Sequence, residues 1–359
     1  MRVTFVLPFP HWTGGVRVVY EYTRRLRARG HRVRVVCPFV PFRFRPGPGP
    51  WSELRPWLRS LLRNARFGAR PPRNPVAWQI EMVPWIADRF MPDAAAVVAT
   101  AWPTAIAVAR LAARKGAGVY LVQHRELDSG PAPVVDATYR LPLFRVAGSH
   151  FTANVLQREL GVTVEAVVPN GVDTAFWGGA PADERAGVLT VLIPGERKGA
   201  GDAVDALERI RRARPDLTIR AFGHPRALSR RPAFLNFVST PSDDELRDLY
   251  TRAEVFLYAS RFEGFGLPPL EAMAAGCVVV STRVGEVPEF VEHGVCGELV
   301  EPRDVEGMAR AVLGLLQDPA RLKRMGLVAA QRALARDWEI ATTAFEGALG
   351  RAVEGAAGG

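Results

Sequence analysis

"RVTFVLPFPHWTGGVRVVYEYTRRLRARGHRVRVVC", Arg2 to Cys37, reads as strand, loop, helix, strand. "RVTFVL" is a short apolar run and "PFPHWTGG" a loop. "VRVVYEYTRRLRARG" sets Val16, Val19, Tyr20 and Leu26 on one helical face. Gly30 ends that helix, and Arg27, Arg29 and His31 suit the negative end of its dipole. "RVRVVC" is the next strand. A β-α-β unit of this kind builds parallel sheets.

The same grammar runs outward along the chain. "AAAVVAT", "GVYLVQ", "FRVAGS" and "VEAVVP" are strand-like, and "PTAIAVARLAARKG" and "HFTANVLQRELG" alternate with them as helices. Pro38 to Pro75 interrupts the rhythm with Pro, Gly and Arg, and holds one short helix candidate, "RPWLRSLLRNARFG". Thr174 to Gly187, "TAFWGGAPADERAG", is polar and small and reads as a linker. A second series follows: "VLTVLIPG", "AGDAVDALERIRRARP", "LTIRAFG", "PSDDELRDLYTRA", "EVFLYAS", "PPLEAMAAG" and "CVVVST". The expectation is an α/β chain of two parallel-sheet domains, 1–173 and 188–338, joined by the linker 174–187. Ligands of such sheets sit beyond the carboxyl ends of the strands, so two facing domains imply a cleft.

Composition agrees with two domains. The 359 residues exceed one ordinary core, and 48% hydrophobic content is that of a soluble globular protein. The net charge of +10 hints at an anionic partner, but it is spread along the chain. Arginine carries it; the lysines are Lys115, Lys198 and Lys323. Cys37, Cys277 and Cys296 have no metal-ligand spacing and read as reduced, buried thiols. The apolar run at the N-terminus stops at Pro8, too short for a signal peptide, and no stretch has the length of a membrane span. A cytoplasmic location is expected, with docking on the inner membrane face left open.

"SRFEGFGLPPLEAMAAG", Ser260 to Gly276, carries the chemistry. "EVFLYAS" is a buried strand, so Arg261 to Leu267 is the loop at its carboxyl end. Gly264 and Gly266 allow unusual backbone angles and close ligand approach. Pro268 suits the first position of a helix, and neither it nor Pro269 can donate. Donors to an anion here come from the N–H groups of Gly264 to Leu267, at the favourable end of a helix dipole. Yet Glu263 and Glu271 would repel a bare anion. A ligand with hydroxyls for the carboxylates and phosphates for the N–H groups resolves the conflict, and a nucleotide sugar is such a ligand. A dipole-favouring glutamate explains Glu271 alone but not Glu263 beside Gly264 and Gly266. A glycosidase carboxylate pair is a further alternative.

"SRFEGFGLPPLEAMAAGCVVVSTRVGEVPEFVEHGVCGELVEPRD" resembles the signature region of the family 4 glycosyltransferases (glycosyl transferases group 1), which have the GT-B fold. The resemblance extends to "HWTGGVRVVYEYTRRLRARGHRVRVV", "ATAWPTA", "VVPNGVD", "KGAGDAVDAL" and "PSDDELRDLYTRAEVFLYAS". It implies two Rossmann-like domains facing across a cleft, with the last helix, 339–353, returning to the first. It also implies roles. Glu263 would bind hydroxyls of the donor sugar. N–H groups around Phe265, Gly266 and Leu267 would hold sugar and diphosphate, and Glu271 the ribose. Gly14 and Gly15, which open the first helix, would face the diphosphate.

Lys198 stands out in a chain that nearly always chooses arginine. It is a solvated turn residue on the bland reading. On the functional one it is a fixed cation for charge growing on the leaving diphosphate. The family usually places an arginine several residues before this lysine, whereas "LIPGERKG" has none before Arg197. Either Arg197 takes that part or it is shared elsewhere. His124, at the end of "YLVQH", falls where the family often carries a residue near the donor sugar, with Glu126 a weaker candidate. The resemblance further implies retention of anomeric configuration, the leaving phosphate helping to deprotonate the acceptor. Ser242 with Glu245 in "SDDEL" is a capping box. No metal or cofactor is expected beyond the donor itself.

Arg43, Arg45, Arg55, Arg59, Arg63, Arg66, Arg70 and Arg73 interleave with Trp51, Trp57, Leu58, Leu61 and Leu62. Such a stretch, 43–73, can lie on anionic lipid, grip an anionic acceptor or cover the first domain. The acceptor itself is open: glycan, lipid-linked or natural product. Two rival readings stand beside the glycosyltransferase. One is another GT-B enzyme, such as an epimerase or phosphorylase. The other is a basic nucleic-acid-binding protein, for which little outside Pro38 to Pro75 speaks, so no nucleic acid is expected as a partner.

Overall fold

The computed structural model describes the chain apart from His11, Arg43, residues 45–79, Asp128, residues 179–184, Ser229, Arg230 and Gly359. The basic segment 43–73, but for Phe44, lies outside the described residues, with its expected helix and membrane contact. The chain divides into two compact units, Met1–Asn170 with Ala341–Gly359, and Gly171–Ile340.

The first unit runs β1 (Arg2–Val6), α1 (Gly14–Ala28), β2 (Arg32–Pro38), β3 (Ile80–Val83), β4 (Ala96–Ala99), α2 (Trp102–Val108), β5 (Ala117–Val122), α3 (Ala132–Thr138), β6 (Phe144–Ala147), α4 (His150–Leu160) and β7 (Ala166–Val167). Its seven strands stand in the order β3-β2-β1-β4-β5-β6-β7. Every pair is parallel, Val3 lying opposite Val33 on one side and Ala96 on the other. β1 and β4 are buried on both faces, as parallel strands under helices are.

The second unit runs α5 (Thr174–Trp177), β8 (Val188–Leu192), α6 (Ala200–Ala213), β9 (Ile219–Gly223), β10 (Asn236–Ser239), α7 (Asp243–Thr251), β11 (Val255–Tyr258), α8 (Leu267–Ala274), β12 (Val278–Thr282), α9 (Val287–Phe290), β13 (Gly297–Val300), α10 (Val305–Gln317) and α11 (Pro319–Leu334). Its six strands order as β10-β9-β8-β11-β12-β13, again all parallel. Two apolar layers enclose it, one around Tyr250, Phe256 and Phe290, the other around Leu207, Leu257 and Met308.

The final helix, α12 (Trp338–Ala357), contributes Ala341 onward to the first unit. The cause is visible in its side chains. Phe345 stacks on Tyr22 with ring centroids 4.3 Å apart, and Glu346 accepts from Arg29 at 3.0 Å and His31 at 2.8 Å.

Three local readings differ from the sequence expectation. The division of the chain falls at Asn170–Gly171, ahead of the stretch 174–187 read as a linker. Trp177 sinks into the second unit's core, and Arg185 donates to the carbonyls of Ala275 and Gly276, so both ends of that stretch are packed. The helix expected over "PTAIAVARLAARKG" stops at Val108. Asp88 takes the N–H of Ala112 at 2.9 Å, and the chain turns so that the Lys115 ammonium reaches Met91 O at 2.8 Å and Asp93 at 2.7 Å. Finally, strands β3, β10 and β13 and helices α3, α5, α9, α10 and α11 were not anticipated. The three strands are four-residue edges, too short to alternate visibly.

Both sheets reverse their winding once, between β1 and β4 and between β8 and β11. Loops leaving the carboxyl ends of such a strand pair diverge and open a crevice, where ligands of doubly wound sheets bind. Gly14, Gly15, Arg197, Lys198 and Glu263 to Leu267 follow β1, β8 and β11 of these pairs, whereas His124 and Glu126 follow β5 and Glu271 lies in α8.

Candidate functional site

The second unit's crevice is built by two loops. After β8, Gly195 (φ 110°) leads into a 3-10 turn, Glu196–Lys198, closed by Gly199 (φ 63°). A Cβ at Gly199 would stand 1.8 Å from Ala259 O, so only glycine lets this turn lie against the end of β11. Two further ties hold the loops. Arg261 N donates to Arg197 O at 2.8 Å, and the Arg261 guanidinium grips Asp202 of α6 with bonds of 2.7 and 2.6 Å. That bidentate pairing raises the arginine's pKa and fixes the loop's direction.

Lys198 and Glu263 meet as a consequence. Lys198 Nζ is 2.7 Å from Glu263 Oε1, with 34% and 13% of the two side chains exposed. The same Oε1 accepts from Tyr258 Oη at 2.6 Å and Ser260 Oγ at 2.9 Å. Burial, then the adjacent carboxylate, push the Tyr258 phenol well above its usual pKa, so it remains a donor. Glu263 Oε2 has no donor among the described residues. One oxygen is thus tied to the protein and the other is not. Arg197 stacks its guanidinium on Phe262, 4.8 Å from the ring centroid, on the same pair of loops.

Beyond Glu263 the chain turns through Gly266 (φ 99°), where a Cβ would come within 2.8 Å of Val287 Cγ2. Helix α8 begins at Leu267, one residue before the expected start, with Pro268 and Pro269 in its first turn. No backbone acceptor among the described residues takes the N–H of Phe265, Gly266 or Leu267. The Phe265 ring packs on Phe290 at 5.6 Å, so its backbone and not its side chain faces the loop's task. Gly285, after β12, would bring a Cβ to 2.6 Å of Glu263 O and thus bears on Glu263 from the far side. Glu271 is 3% exposed and accepts from Tyr250 Oη at 3.3 Å, so it is a buried, anchored carboxylate.

The first unit's crevice holds the other expected residues. Thr13 caps α1 by accepting from Val16 N at 3.3 Å, and Gly14 and Gly15 form the helix's first residues. Gln123 at the end of β5 donates to Gly15 O at 3.2 Å. Gly15, Gln123, His124 and Glu126 line a pocket of about 450 Å³. Glu126 is buried; its Oε1 accepts from Trp102 N at 2.9 Å and Tyr120 Oη at 3.2 Å. Burial pushes its pKa up to about 8, although both donors pull the other way.

Gly14, Gly15, His124 and Glu126 thus belong to the first unit, and Arg197, Lys198, Glu263 to Leu267 and Glu271 to the second. Tyr258, Ser260 and Gln123 escaped sequence reasoning; their one signal is position at the carboxyl end of a buried strand. Ser242 and Glu245 make the reciprocal capping box. The three cysteines are free and buried. Among the described residues no group of three His, Cys, Asp or Glu side chains is placed to hold a metal, and no helix is long and apolar enough to cross a membrane.

Comparison with known proteins agrees with this geometry. The family described as Glycosyltransferase Family 4 matches residues 12–176, and that described as Glycosyl transferases group 1 matches residues 186–318. The glycogen synthase of Mycobacterium tuberculosis is 36% identical over 197 residues, 51% of this chain and 48% of that protein. The MMP alpha-(1->4)-mannosyltransferase of Mycolicibacterium hassiacum is 36% identical over 174 residues, 45% of this chain and 41% of its own. The crystal structure of Anabaena HepE in complex with UDP and glucose superposes with a TM-score of 0.72 at 17% identity, covering 98% of this chain and 99% of that one. The fold is therefore GT-B, and the chain belongs to the family 4 glycosyltransferases. It spans about half the length of the curated relatives it matches.

Proposed function

We propose that the chain transfers a sugar from a nucleoside-diphosphate sugar to a hydroxyl acceptor, with retention of anomeric configuration and without a metal. The observation that carries this reading is Glu263, held through Oε1 by Lys198, Tyr258 and Ser260 with Oε2 left over, beside amides at the start of α8. Sugar hydroxyls donate to Oε2. The diphosphate accepts from the N–H groups of Phe265 to Leu267, where the helix dipole favours negative charge. Lys198 Nζ, already oriented by Glu263, meets the phosphate oxygens as the glycosidic bond lengthens, and Arg197 adds a second cation. These fixed charges take the place of a divalent ion. Glu271, anchored by Tyr250, receives the ribose hydroxyls.

The leaving phosphate takes the acceptor's proton on the same face, so configuration is kept. In the first unit, Gly14, Gly15 and His124 serve substrate within their own crevice. The acceptor is a hydroxylated glycan, lipid-linked sugar or natural product. A cytoplasmic location, with the basic segment 43–73 resting on anionic lipid, completes the reading; co-sedimentation with anionic vesicles tests that contact. The HepE complex with UDP and glucose and the two named transferases support the donor class.

The test is a panel of nucleotide sugars with an acceptor mixture. The reading expects release of nucleoside diphosphate with one donor, product of unchanged anomeric configuration, and full rate in chelator. Inverted product, or rescue by added metal alone, contradicts the corresponding part.

A further inference from the structure

Both crevices described above open at the carboxyl ends of strands. The opposite, amino ends of the first unit's sheet carry a pocket of about 370 Å³, lined by Arg2, Thr4, Arg32, Arg34 and Asp93. Its basic wall follows from the register of β1 and β2. Arg2 lies opposite Arg32 and Thr4 opposite Arg34, and alternation along a strand puts all four on one face of the sheet. Neighbouring strands stand about 4.8 Å apart, so Arg2 and Arg32 hold two like charges side by side.

The nearby acids do not answer these charges. Asp93 Oδ1 is taken by Lys115 Nζ at 2.7 Å, and the bond and charge of Lys115, then the charges of Arg114 and Arg2, hold that carboxyl below its usual pKa. Glu81 stands 3.7 Å from Arg34, with about half of each side chain exposed, a contact of little worth. Arg2 and Arg32 have no carboxylate in bonding range among the described residues. The sequence of 45–79 adds a single acid, Glu53. Thr4 turns this charged surface into a site. It is 2% exposed yet lines the pocket, and no group among the described residues bonds its hydroxyl. A buried hydroxyl costs free energy until it finds a partner.

Phosphate fits this set of groups. Its oxygens point in several directions, guanidinium forks bind them in pairs, and a hydroxyl can donate to one more. The volume exceeds that of a bare ion and suits a small molecule. We propose that this pocket binds a phosphomonoester, with Arg2, Arg32 and Arg34 on the phosphate oxygens and Thr4 Oγ1 donating from the floor. The site lies at the far end of the sheet from Gly15 and His124, and it does not depend on the transferase reading.

The probe is inorganic phosphate, titrated into the full chain against chloride at constant ionic strength and followed by calorimetry and melting temperature. The proposal expects saturable binding and a rise in melting temperature that chloride does not give. Arg32→Gln removes an exposed charge without a partner and should weaken phosphate about tenfold. Thr4→Val keeps the side chain's shape, deletes the hydroxyl and should weaken phosphate about fivefold. Lys198→Ala, which alters the second unit's site, should leave this binding unchanged. No saturable response beyond that of chloride overturns the proposal, as does phosphate binding that both Arg32→Gln and Thr4→Val leave unchanged, wherever else the ion is held. With phosphate binding in hand, phosphatidylcholine vesicles with and without phosphatidic acid identify the source of the monoester. Sedimentation that requires phosphatidic acid and is lost in Arg32→Gln assigns a lipid headgroup, and no such loss assigns a soluble phosphorylated molecule.

Discussion

Glu263 receives three donors on a single oxygen, and that arrangement decides which substitutions are informative. Truncation to alanine would strand the buried Tyr258 hydroxyl, a loss of about 1–3 kcal/mol in stability. Glu263→Gln keeps an acceptor and removes the charge. It should leave melting within a few degrees and lower turnover by about a hundredfold or more, measured as nucleoside diphosphate release. Lys198→Ala breaks an ion pair whose lysine is a third exposed. Its stability cost should stay below about 1 kcal/mol, while the single-turnover rate constant falls by about a hundredfold. An unchanged rate constant would remove Lys198 from the chemistry.

Glu126 makes a prediction of opposite character. Burial raises its pKa from 4.5 to about 8, so the folded state holds a proton that the unfolded chain releases. The contribution is fully present below 4.5 and is lost as pH rises toward 8. Glu126→Gln should flatten the fall in stability across that window and melt higher than the wild type at its upper end. Parallel pH profiles for the two proteins would remove the shifted carboxyl from the account.

Among elements, the junction of β8 with α6 shows most clearly what the chain's order conceals. The alternating runs announced strands and helices, and "FGLPP" announced a glycine turn into a proline-led helix, because both are local patterns. The Lys198–Glu263 contact joins residues 65 positions apart, and only the pairing of β8 with β11 creates it. Neither pattern nor spacing states that pairing. The same limit explains α2: nothing in "AIAVARLAARKG" shows that Asp88 will claim the amide of Ala112. The packing of the ends of 174–187 was hidden for a related reason, since the carbonyls that bind Arg185 lie just past the end of α8. Gly199→Ala tests the junction. Its left-handed backbone and the close approach to Ala259 O should cost about 1–3 kcal/mol and weaken nucleoside diphosphate binding together. Normal affinity in a folded variant would show that the turn can move without harm to the site.

For the whole molecule, the two switch points rather than the net charge locate function. A charge of +10 suggested an anionic partner, yet several of the described arginines are engaged with the chain's own carboxylates, as at Arg261–Asp202 and Arg125–Asp136. The β8–α6 loop carries two cations, Arg197 and Lys198, at the proposed donor site. The signature from Glu263 to Leu267 was legible because one loop carries it; the first unit's pocket, assembled from four separate stretches, was legible only at Gly15, His124 and Glu126.

The most direct measurement is amide hydrogen exchange of the full chain with and without nucleoside diphosphate. The account predicts new protection at Phe265, Gly266 and Leu267, reduced in Lys198→Ala. A diphosphate that raises the melting temperature while leaving those three amides exchanging at their free rate would contradict it.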